Sequence, residues 1–442
     1  MSEKGYIKRR KLKKGIAKFC FTVGGLYILV LIILCIINVI TSLTGNVSAL
    51  EPILETVFYY QDIVISYIVK FFNLPYVTPI IGTTILLVML FKLFIRGYWK
   101  LIFRPWVMLT SIATLAFTYY VWFYTHFSIF NIGAFLLDGP VSLFLALLSF
   151  LANSIPSISY QVKEVSYFVV DNIKPYLPMF YPAASWFILM FLMSRLTALF
   201  QATFFFDEIY ESNSAVEAAR EVVKEARKIT KSIPKHIIFY LQRGEEMNAC
   251  AFDHNKVAMT ESTMHQKEDI IRAIIGHELG HIANKDVSAA SIAGANLKLM
   301  WGLFTIPYFL LSSQADKKGR FKVNILTFLL SIFALLGALI MNIINVVHYC
   351  CYILGGKVIE YKADIFSSKL GYGAGLLSFM LYFYDVPAGG IKDPHPSMQN
   401  RTSYICDYII SHPKIYSQEV IEEAHKVKED PYLYRAIMYS RE

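Results

Sequence analysis

The sequence predicts a multi-span α-helical membrane protein whose polar α+β domain is split by a hydrophobic helical hairpin. The 442 residues are 55% hydrophobic and only 17% charged, whereas soluble proteins carry about 25% charged residues. Several apolar runs reach the roughly 20 residues that a helix needs to cross a bilayer. Polar sequence at 204–286 and at 355–442 flanks two such runs, so its two parts must come together to form one domain.

Residues 1–203 are predicted to form an N-terminal membrane domain. The predicted spans are 19–40, 77–96, 105–125 and 178–200. The first apolar run is longer than the roughly 7–15 apolar residues of a secretory signal, so it predicts a span that is not cleaved off.

Two other apolar stretches are predicted to form interfacial helices outside the cytoplasm. Residues 52–74 contain charged and amide side chains, and residues 132–152 are interrupted by Asp138, Gly139 and Pro140. The interruption leaves about a dozen apolar residues in a row, which is too few to cross a bilayer.

The net charge of +9 does not indicate a nucleic-acid partner, because the basic excess lies at the N-terminus and the two polar parts are slightly acidic. A basic block directly before an apolar run holds an N-terminus in the cytoplasm. Its residues are Lys4, Lys8, Arg9, Arg10, Lys11, Lys13 and Lys14. The six cysteines show no CxxC pair and no pattern of a disulfide framework.

Four spans return the chain to the cytoplasm near Arg195, so the polar domain is predicted to face the cytoplasm. The hairpin, residues 287–354, consists of two apolar runs joined by a basic linker. Two full crossings would place that linker outside, against the positive-inside tendency. Two alternatives remove the conflict: residues 132–152 span and turn the polar domain outward, or the hairpin does not cross fully.

The stretch IIGHELGHIANKD, residues 274–286, predicts a metal site. A helix is expected over Glu268–Asp286, and it places His277 and His281 one turn apart on one face. Two neutral imidazoles at that spacing bind one Zn²⁺, with Glu278 beside them to take a proton from the bound water. The alternative is a buried histidine pair that satisfies a core network.

The stretch GKVIEYKAD, residues 356–364, offers the third protein ligand that catalytic zinc needs. Glu360 and Asp364 are four residues apart, so a helix presents both carboxylates on one face. Glu360 could bind the metal while Asp364 accepts the second N–H of a ligand histidine. A solvated acidic face is the alternative. Ligation by two histidines and a glutamate suits zinc best among divalent ions.

Four motifs in this order resemble the membrane zinc endopeptidases of the HtpX and CAAX-prenyl-protease family. They are MNACAF with VAMTESTM, GHELGHIANKD, EYKADIFSSKLGYG and DPHPSMQNR. The resemblance covers roughly residues 205–286 and 355–405 and implies a zincin-type, gluzincin-like metalloprotease domain. An HtpX-like protein needs only two spans before this domain, whereas at least four are predicted here.

The resemblance also implies the ligands and the base. His277, His281 and Glu360 are expected to bind one zinc per chain, with Glu278 as general base and Asp364 supporting a ligand histidine. Zinc is then the expected cofactor, and peptide bonds are the expected substrate.

Further residues receive weaker roles from the same resemblance. His395 or Arg401 is expected to shape the site or steady an oxyanion, although His395 could simply be a turn residue. Asn248 and the strand Lys256–Thr260 resemble the substrate edge of the family, to which an extended peptide could add by backbone hydrogen bonds. A surface strand without a bound peptide is the alternative. The strand residues expected at this edge are Val257, Ala258 and Met259.

The expected substrates are membrane proteins or misfolded proteins, and the expected location is a bacterial cytoplasmic membrane, with the lipid bilayer as a second partner. Two other functions are considered. A sensor-transducer similar to the β-lactam-responsive membrane metalloproteases would need an outer ligand-binding domain, for which segments 41–76 and 126–177 are short. The second alternative function is a membrane scaffold without catalytic activity.

Overall fold

The computed structural model describes most of the chain. The described residues are 10–26, 77–91, 99–125, 131–210, 213–312, 325–386 and 395–440, together with Tyr59, Ile63 and Ser66. Several predicted segments therefore lie outside the described residues. They are the span 19–40 beyond residue 26, most of the interfacial segment 52–74, the end of the span 77–96 and the linker of the hairpin.

The chain divides into two compact units, and the first, Thr22–Ser194 with Ala293–Asn345, is built from apolar helices. Its helices include α1 (Val77–Leu90), α2 (Trp99–Ile102), α3 (Pro105–Thr125), α4 (Asn131–Ser154), α5 (Ser159–Phe168) and most of α6 (Tyr181–Phe204). The helical residues 293–312 and 325–345 also belong to this unit. Helices α1, α3 and α6 coincide with three of the predicted spans.

Helix α4 differs from what was expected for residues 132–152. It continues through Asp138, Gly139 and Pro140 instead of breaking there. The Asp138 carboxylate accepts a hydrogen bond from the Tyr181 hydroxyl at 2.7 Å, and a helical proline removes only one backbone hydrogen bond. Leu137–Ser154 is consequently long and apolar enough to cross a membrane by length and composition, so the premise that this stretch is too short was wrong.

Two further helical stretches among the described residues meet the same criterion of length and composition. They are Pro156–Phe204 and Asn342–Lys369. The chain thus contains apolar helices of the kind that membrane proteins use.

The apolar unit contains a buried polar junction around Asn296. The Asn296 amide donates a hydrogen bond to the Ser111 hydroxyl at 2.9 Å and accepts one from the Trp186 indole N–H at 3.0 Å. The Thr114 hydroxyl donates to the backbone carbonyl of Asn296 at 3.3 Å. Hydrogen bonds between helices in apolar surroundings help to fix their contact.

The second unit joins Arg195–Ile292 to Val346–Glu442 and includes the N-terminal segment up to Phe21. The two polar parts of the sequence therefore lie in one compact unit. Its strands are β1 (Phe206–Glu208), β2 (Ile238–Gln242), β3 (Ala249–Asp253) and β4 (Lys256–Thr260). The helices that follow α6 in the chain are α7 (Ser214–Ile229), α8 (Glu261–Met264), α9 (Glu268–Ala283), α10 (Asp286–Ser312), α11 (Ile325–Lys369), α12 (Gly373–Tyr382), α13 (Met398–Ser411), α14 (Gln418–Glu429) and α15 (Pro431–Ser440).

The four strands form one sheet in the order β1-β2-β4-β3. Strand β4 pairs with β2 in parallel and with β3 antiparallel, so both of its edges are occupied. The prediction that a substrate adds to β4 through Val257, Ala258 and Met259 was therefore wrong. These three residues are fully buried, and the free edge beside β4 belongs to β3.

Helix α7 packs its apolar face, Val216, Ala219, Val223 and Ala226, into the core that also contains α9 and the sheet. Its N-cap is Asn213, whose side chain accepts a hydrogen bond from the backbone N–H of Val216. A side-chain cap of this kind stabilises a helix by about 1 kcal/mol.

Helices α9 and α11 approach each other closely because two glycines of α9 face α11. A Cβ atom on Gly276 would lie 3.2 Å from the Cα atom of Ser367, and one on Gly280 would lie 2.8 Å from the Cα atom of Ala363. The Ser367 hydroxyl donates to the backbone carbonyl of Ala273 across this contact at 2.8 Å. This contact brings Glu360 of α11 to the histidines of α9.

Candidate active site

Helix α9 presents the two histidines of the HELGH motif toward the same point. The Nε2 atoms of His277 and His281 lie 3.1 Å apart, and the two rings are perpendicular. Both histidines are largely buried, because α9 packs against α7 on one side and α11 on another. The helix begins at Glu268 as expected but ends at Ala283, three residues before the expected end at Asp286, because Lys285 leaves the helical conformation.

Glu360 completes a triangle of possible metal donors. Its Oε2 atom lies 3.4 Å from His277 Nε2, and its Oε1 atom lies 3.5 Å from His281 Nε2. Zinc bonds of about 2.0–2.1 Å in a tetrahedron place neighbouring donor atoms roughly 3.3 Å apart. The distances of 3.1, 3.4 and 3.5 Å are close to that spacing, with a different Glu360 oxygen facing each histidine. The three side chains therefore suit one zinc ion.

Glu278 lies beside the two histidines and does not point away from them. One ligand atom from each of His277, Glu278 and His281 can be chosen so that all lie within 4.8 Å of one another. The Glu278 Oε2 atom accepts a hydrogen bond from the backbone N–H of Ala251 at 2.6 Å. The general base predicted from the motif is therefore anchored to the edge strand β3.

Each ligand histidine has a carboxylate on its Nδ1 side. His277 Nδ1 lies 2.8 Å from Asp364 Oδ1, and His281 Nδ1 lies 3.4 Å from Asp286 Oδ2. A proton on Nδ1 that is shared with a carboxylate leaves the lone pair of Nε2 free to bind a metal. Asp364 thus lies where the sequence analysis placed it.

The sequence analysis assigned no role to Asp286, although this residue ends the quoted motif. Helix α9 ends at Ala283, and Lys285 adopts a left-handed conformation with φ of 61°. Helix α10 then begins at Asp286. The left-handed residue turns the chain, and the Asp286 carboxylate lies near His281. The available signal was the aspartate five residues after the second histidine.

Arg401 contacts the carboxylates behind the donors, as expected of a residue that shapes the site. Its Nε atom lies 2.8 Å from Asp364 Oδ2 and its Nη2 atom 2.6 Å from Asp364 Oδ1. Its Nη1 atom lies 3.6 Å from Glu360 Oε2. Arg401 is buried and its Nε and Nη2 atoms both bind Asp364, so it supports Asp364. Of the two expected roles, these contacts favour shaping the site, and the oxyanion role stays a prediction.

His395 lies on the accessible side of the donors. Its Nδ1 atom lies 3.2 Å from Glu360 Oε1, and its side chain is 56% exposed. This location fits the expectation that His395 shapes the site, and its contact with a substrate stays a prediction. Asn248 precedes β3, where its backbone carbonyl accepts hydrogen bonds from Thr260 and Thr263.

The buried charges of the site change the affinity of its groups for protons. Burial lowers the pKa of His277, but hydrogen bonds and charge attraction from Asp364 and Glu360 outweigh burial and raise it to about 10. The pKa of Arg401 is also raised: burial lowers it, and the charges of Asp364 and Glu360 act more strongly in the other direction. The two neighbouring carboxylates therefore favour the charged form of His277.

Cys250 on β3 lies near Glu278, which raises the question of a thiolate nucleophile. Burial, with a smaller contribution from the Glu278 charge, raises the pKa of the Cys250 thiol to about 12. A thiol with that pKa stays protonated at neutral pH and is inert as a nucleophile. The chemistry of this site belongs to the histidines and carboxylates.

Comparison with protein-family models matches part of the chain to a peptidase family. Residues 213–409 match the model of Peptidase family M48, and no curated protein matched the chain. The matched segment contains the histidines and Glu278 of α9, Glu360 and Asp364 of α11, and Arg401 of α13. The family resemblance that was inferred from four motifs is confirmed by this match.

Proposed function

Because residues 213–409 belong to peptidase family M48, a metallopeptidase family, we propose that this chain is a zinc-dependent endopeptidase integral to a membrane. The observation that carries the proposal is the donor triangle of His277, His281 and Glu360, with sides of 3.1–3.5 Å. A zincin-type catalytic fold is part of the same proposal.

In this mechanism, the chain's own residues hold the reactants and move the proton. His277, His281 and Glu360 would hold Zn²⁺, which supplies Lewis acidity that activates water and polarises the scissile carbonyl. Glu278 takes a proton from the attacking water and delivers it to the leaving amine. Asp364 keeps His277 in the tautomer that binds metal through Nε2.

The peptide substrate would add to β3 as a further strand. Among the described residues, strand β3 pairs only with β4. Backbone hydrogen bonds along a sheet edge bind an extended peptide with little demand on its sequence. The N–H group of Ala251 on this edge already contacts Glu278. A peptide on this edge would therefore pass beside the general base.

The membrane location and the substrate class follow from where the site lies in the chain. Glu360 is part of α11, and the apolar stretch Asn342–Lys369 belongs to the same helix. Substrates would therefore be membrane proteins or misfolded segments that reach the membrane surface. The basic N-terminal helix belongs, up to Phe21, to the same unit as the proposed catalytic residues. Basic residues favour the cytoplasmic side, so the site would face the cytoplasm, as in a bacterial inner membrane.

The proposal is tested with purified wild type and Glu278→Gln in detergent, measuring zinc content and cleavage of an unfolded membrane protein. We expect about one zinc per chain in both proteins and cleavage by wild type alone. Glu429→Gln, which changes an exposed glutamate of α14 in the same way, is the control and should cleave like wild type. Equal cleavage by Glu278→Gln, or wild type without zinc after zinc addition, would contradict the proposal and favour a scaffold.

A further inference from the structure

A pocket outside the catalytic centre lies between the N-terminal helix and the chain that follows α6. Its volume is about 590 Å³, and its lining includes Lys14 and Lys18 from the helix, the segment Thr203–Asp207, and Gln242 with Arg243 after β2. None of these residues contributes to the donor triangle or to the edge strand β3. The catalytic mechanism therefore leaves this pocket without a role.

The charged groups of the pocket leave an excess of positive charge. Lys14 donates to the backbone carbonyl of Phe206 at 2.9 Å and to Asp207 Oδ1 at 3.2 Å. Arg243 is 91% exposed and lies 3.9 Å from Asp207 Oδ2. Lys18 lines the pocket as an exposed third cation. One carboxylate faces three cations, so the lining favours an anion.

Apolar aromatic side chains adjoin these cations. Phe21 of the N-terminal helix packs edge-on against Phe200 and Phe204, with ring centroids 5.4 and 6.0 Å apart. Phe205, which lines the pocket, is 62% exposed. These rings lie at the end of Pro156–Phe204, a stretch long and apolar enough to cross a membrane. Aromatic rings next to basic residues at the end of such a helix are typical of the membrane–water interface.

We propose that this pocket binds the phosphate of an anionic phospholipid, with Lys14, Lys18 and Arg243 around the phosphate and the acyl chains along Phe204 and Phe205. A soluble phosphate would satisfy the cations but would leave the exposed rings in water, so the combination favours a lipid. Anionic lipids attract basic segments that adjoin an apolar helix. The inference depends on the proposed membrane location and not on the peptidase chemistry.

The test uses the full-length protein in detergent, with lipid binding measured by native mass spectrometry. Phosphatidylglycerol is compared with phosphatidylcholine of the same acyl chains, and inorganic phosphate is the soluble competitor. Lys18→Ala with Arg243→Ala removes two pocket cations. Lys13→Ala with Arg227→Ala removes two exposed cations outside the pocket and changes the net charge equally. Lys18→Arg with Arg243→Lys keeps the pocket charge and controls for folding.

We expect wild type to prefer phosphatidylglycerol, and the pocket double variant to bind it about 25-fold more weakly, since each cation contributes roughly fivefold. The matched control and the charge-preserving variant should bind like wild type. Equal binding of both lipids, or an equal loss in the matched control, would overturn the inference. Displacement of phosphatidylglycerol by inorganic phosphate at the same concentration would overturn the lipid assignment in favour of a soluble anion. Peptidase activity is not the readout, so failure here is distinct from failure of the proposed function.

Discussion

The contact between α9 and α11 at Gly280 sets the distance between the metal donors, and Gly280→Ala tests this. The new Cβ atom would lie 2.8 Å from Ala363 Cα and 3.1 Å from both Ala363 O and Phe366 Cβ. Ordinary contacts begin at 3.4 Å, so the two backbones must separate by about 0.6 Å. None of these three atoms belongs to the end of a flexible side chain that could turn away.

The expected loss of zinc affinity follows from the small range of metal–donor distances that a zinc site tolerates. Ala363 lies next to Asp364 and one turn from Glu360, so the shift moves both residues. Metal–donor distances vary by roughly 0.2 Å in real sites, a third of the required shift. We expect a zinc affinity roughly 10- to 100-fold weaker, similar to the loss of a supporting residue. We also expect unfolding to become easier by about 1–3 kcal/mol through overpacking.

Zinc affinity is measured by competition with a chromogenic chelator, and stability by denaturant unfolding of the metal-free protein. Gly294→Ala is the matched control, because a Cβ on this glycine of α10 meets nothing within 4 Å. Alanine in a helix is favoured over glycine by roughly 0.5–1 kcal/mol, so the control should keep zinc and lose no stability. Wild-type zinc affinity in Gly280→Ala would refute the reasoning, because the donor distances would then not depend on this contact.

Two further predictions concern the groups that surround the donors. Asp286→Asn removes the charge beside His281, so it should weaken zinc binding roughly 10-fold or more. It should not change the unfolding of the metal-free protein. If the variant competes with the chelator for zinc as well as wild type does, the assigned contact is contradicted. Because His277 has a pKa of about 10 in the metal-free site against 6.5 ordinarily, its stabilising contribution is full below pH 6.5 and disappears as pH rises through 10. Zinc binding at neutral pH should then release about one proton. In calorimetry, the heat of zinc binding should therefore vary with the ionisation enthalpy of the buffer. A binding heat that is the same in all buffers would contradict this prediction.

The features that depend on local spacing could be predicted from the sequence. His277 and His281 share a face because they are four residues apart on a helix, and Glu360 with Asp364 follows the same rule. Asp286 escaped this reasoning because the left-handed Lys285 breaks the helical spacing between it and His281. Its contact depends on one backbone angle, which a spacing rule does not contain.

Features that depend on strand order or on partners distant in the chain were less predictable. Strand β4 was taken as an edge, but Val257, Ala258 and Met259 are consecutive fully buried residues, a pattern typical of an interior strand covered on both faces. For Arg401, shaping the site and steadying an oxyanion both stayed open, because the sequence cannot show that Asp364 is near enough to bind two nitrogen atoms of its guanidinium. The local sequence pattern indicates which residues can bind a metal or a charge, but the packing of distant segments determines which residues contact each other.

The order of the ligands along the chain has a consequence for biosynthesis. His277 and His281 are synthesised before the hairpin, Glu360 after it, and Arg401 later still. A nascent chain that stops during insertion of the hairpin holds only two of the three donors. Proteolytic competence would therefore arise only after both apolar segments have left the ribosome, and a truncated chain in the translocation machinery would be unable to cut its neighbours.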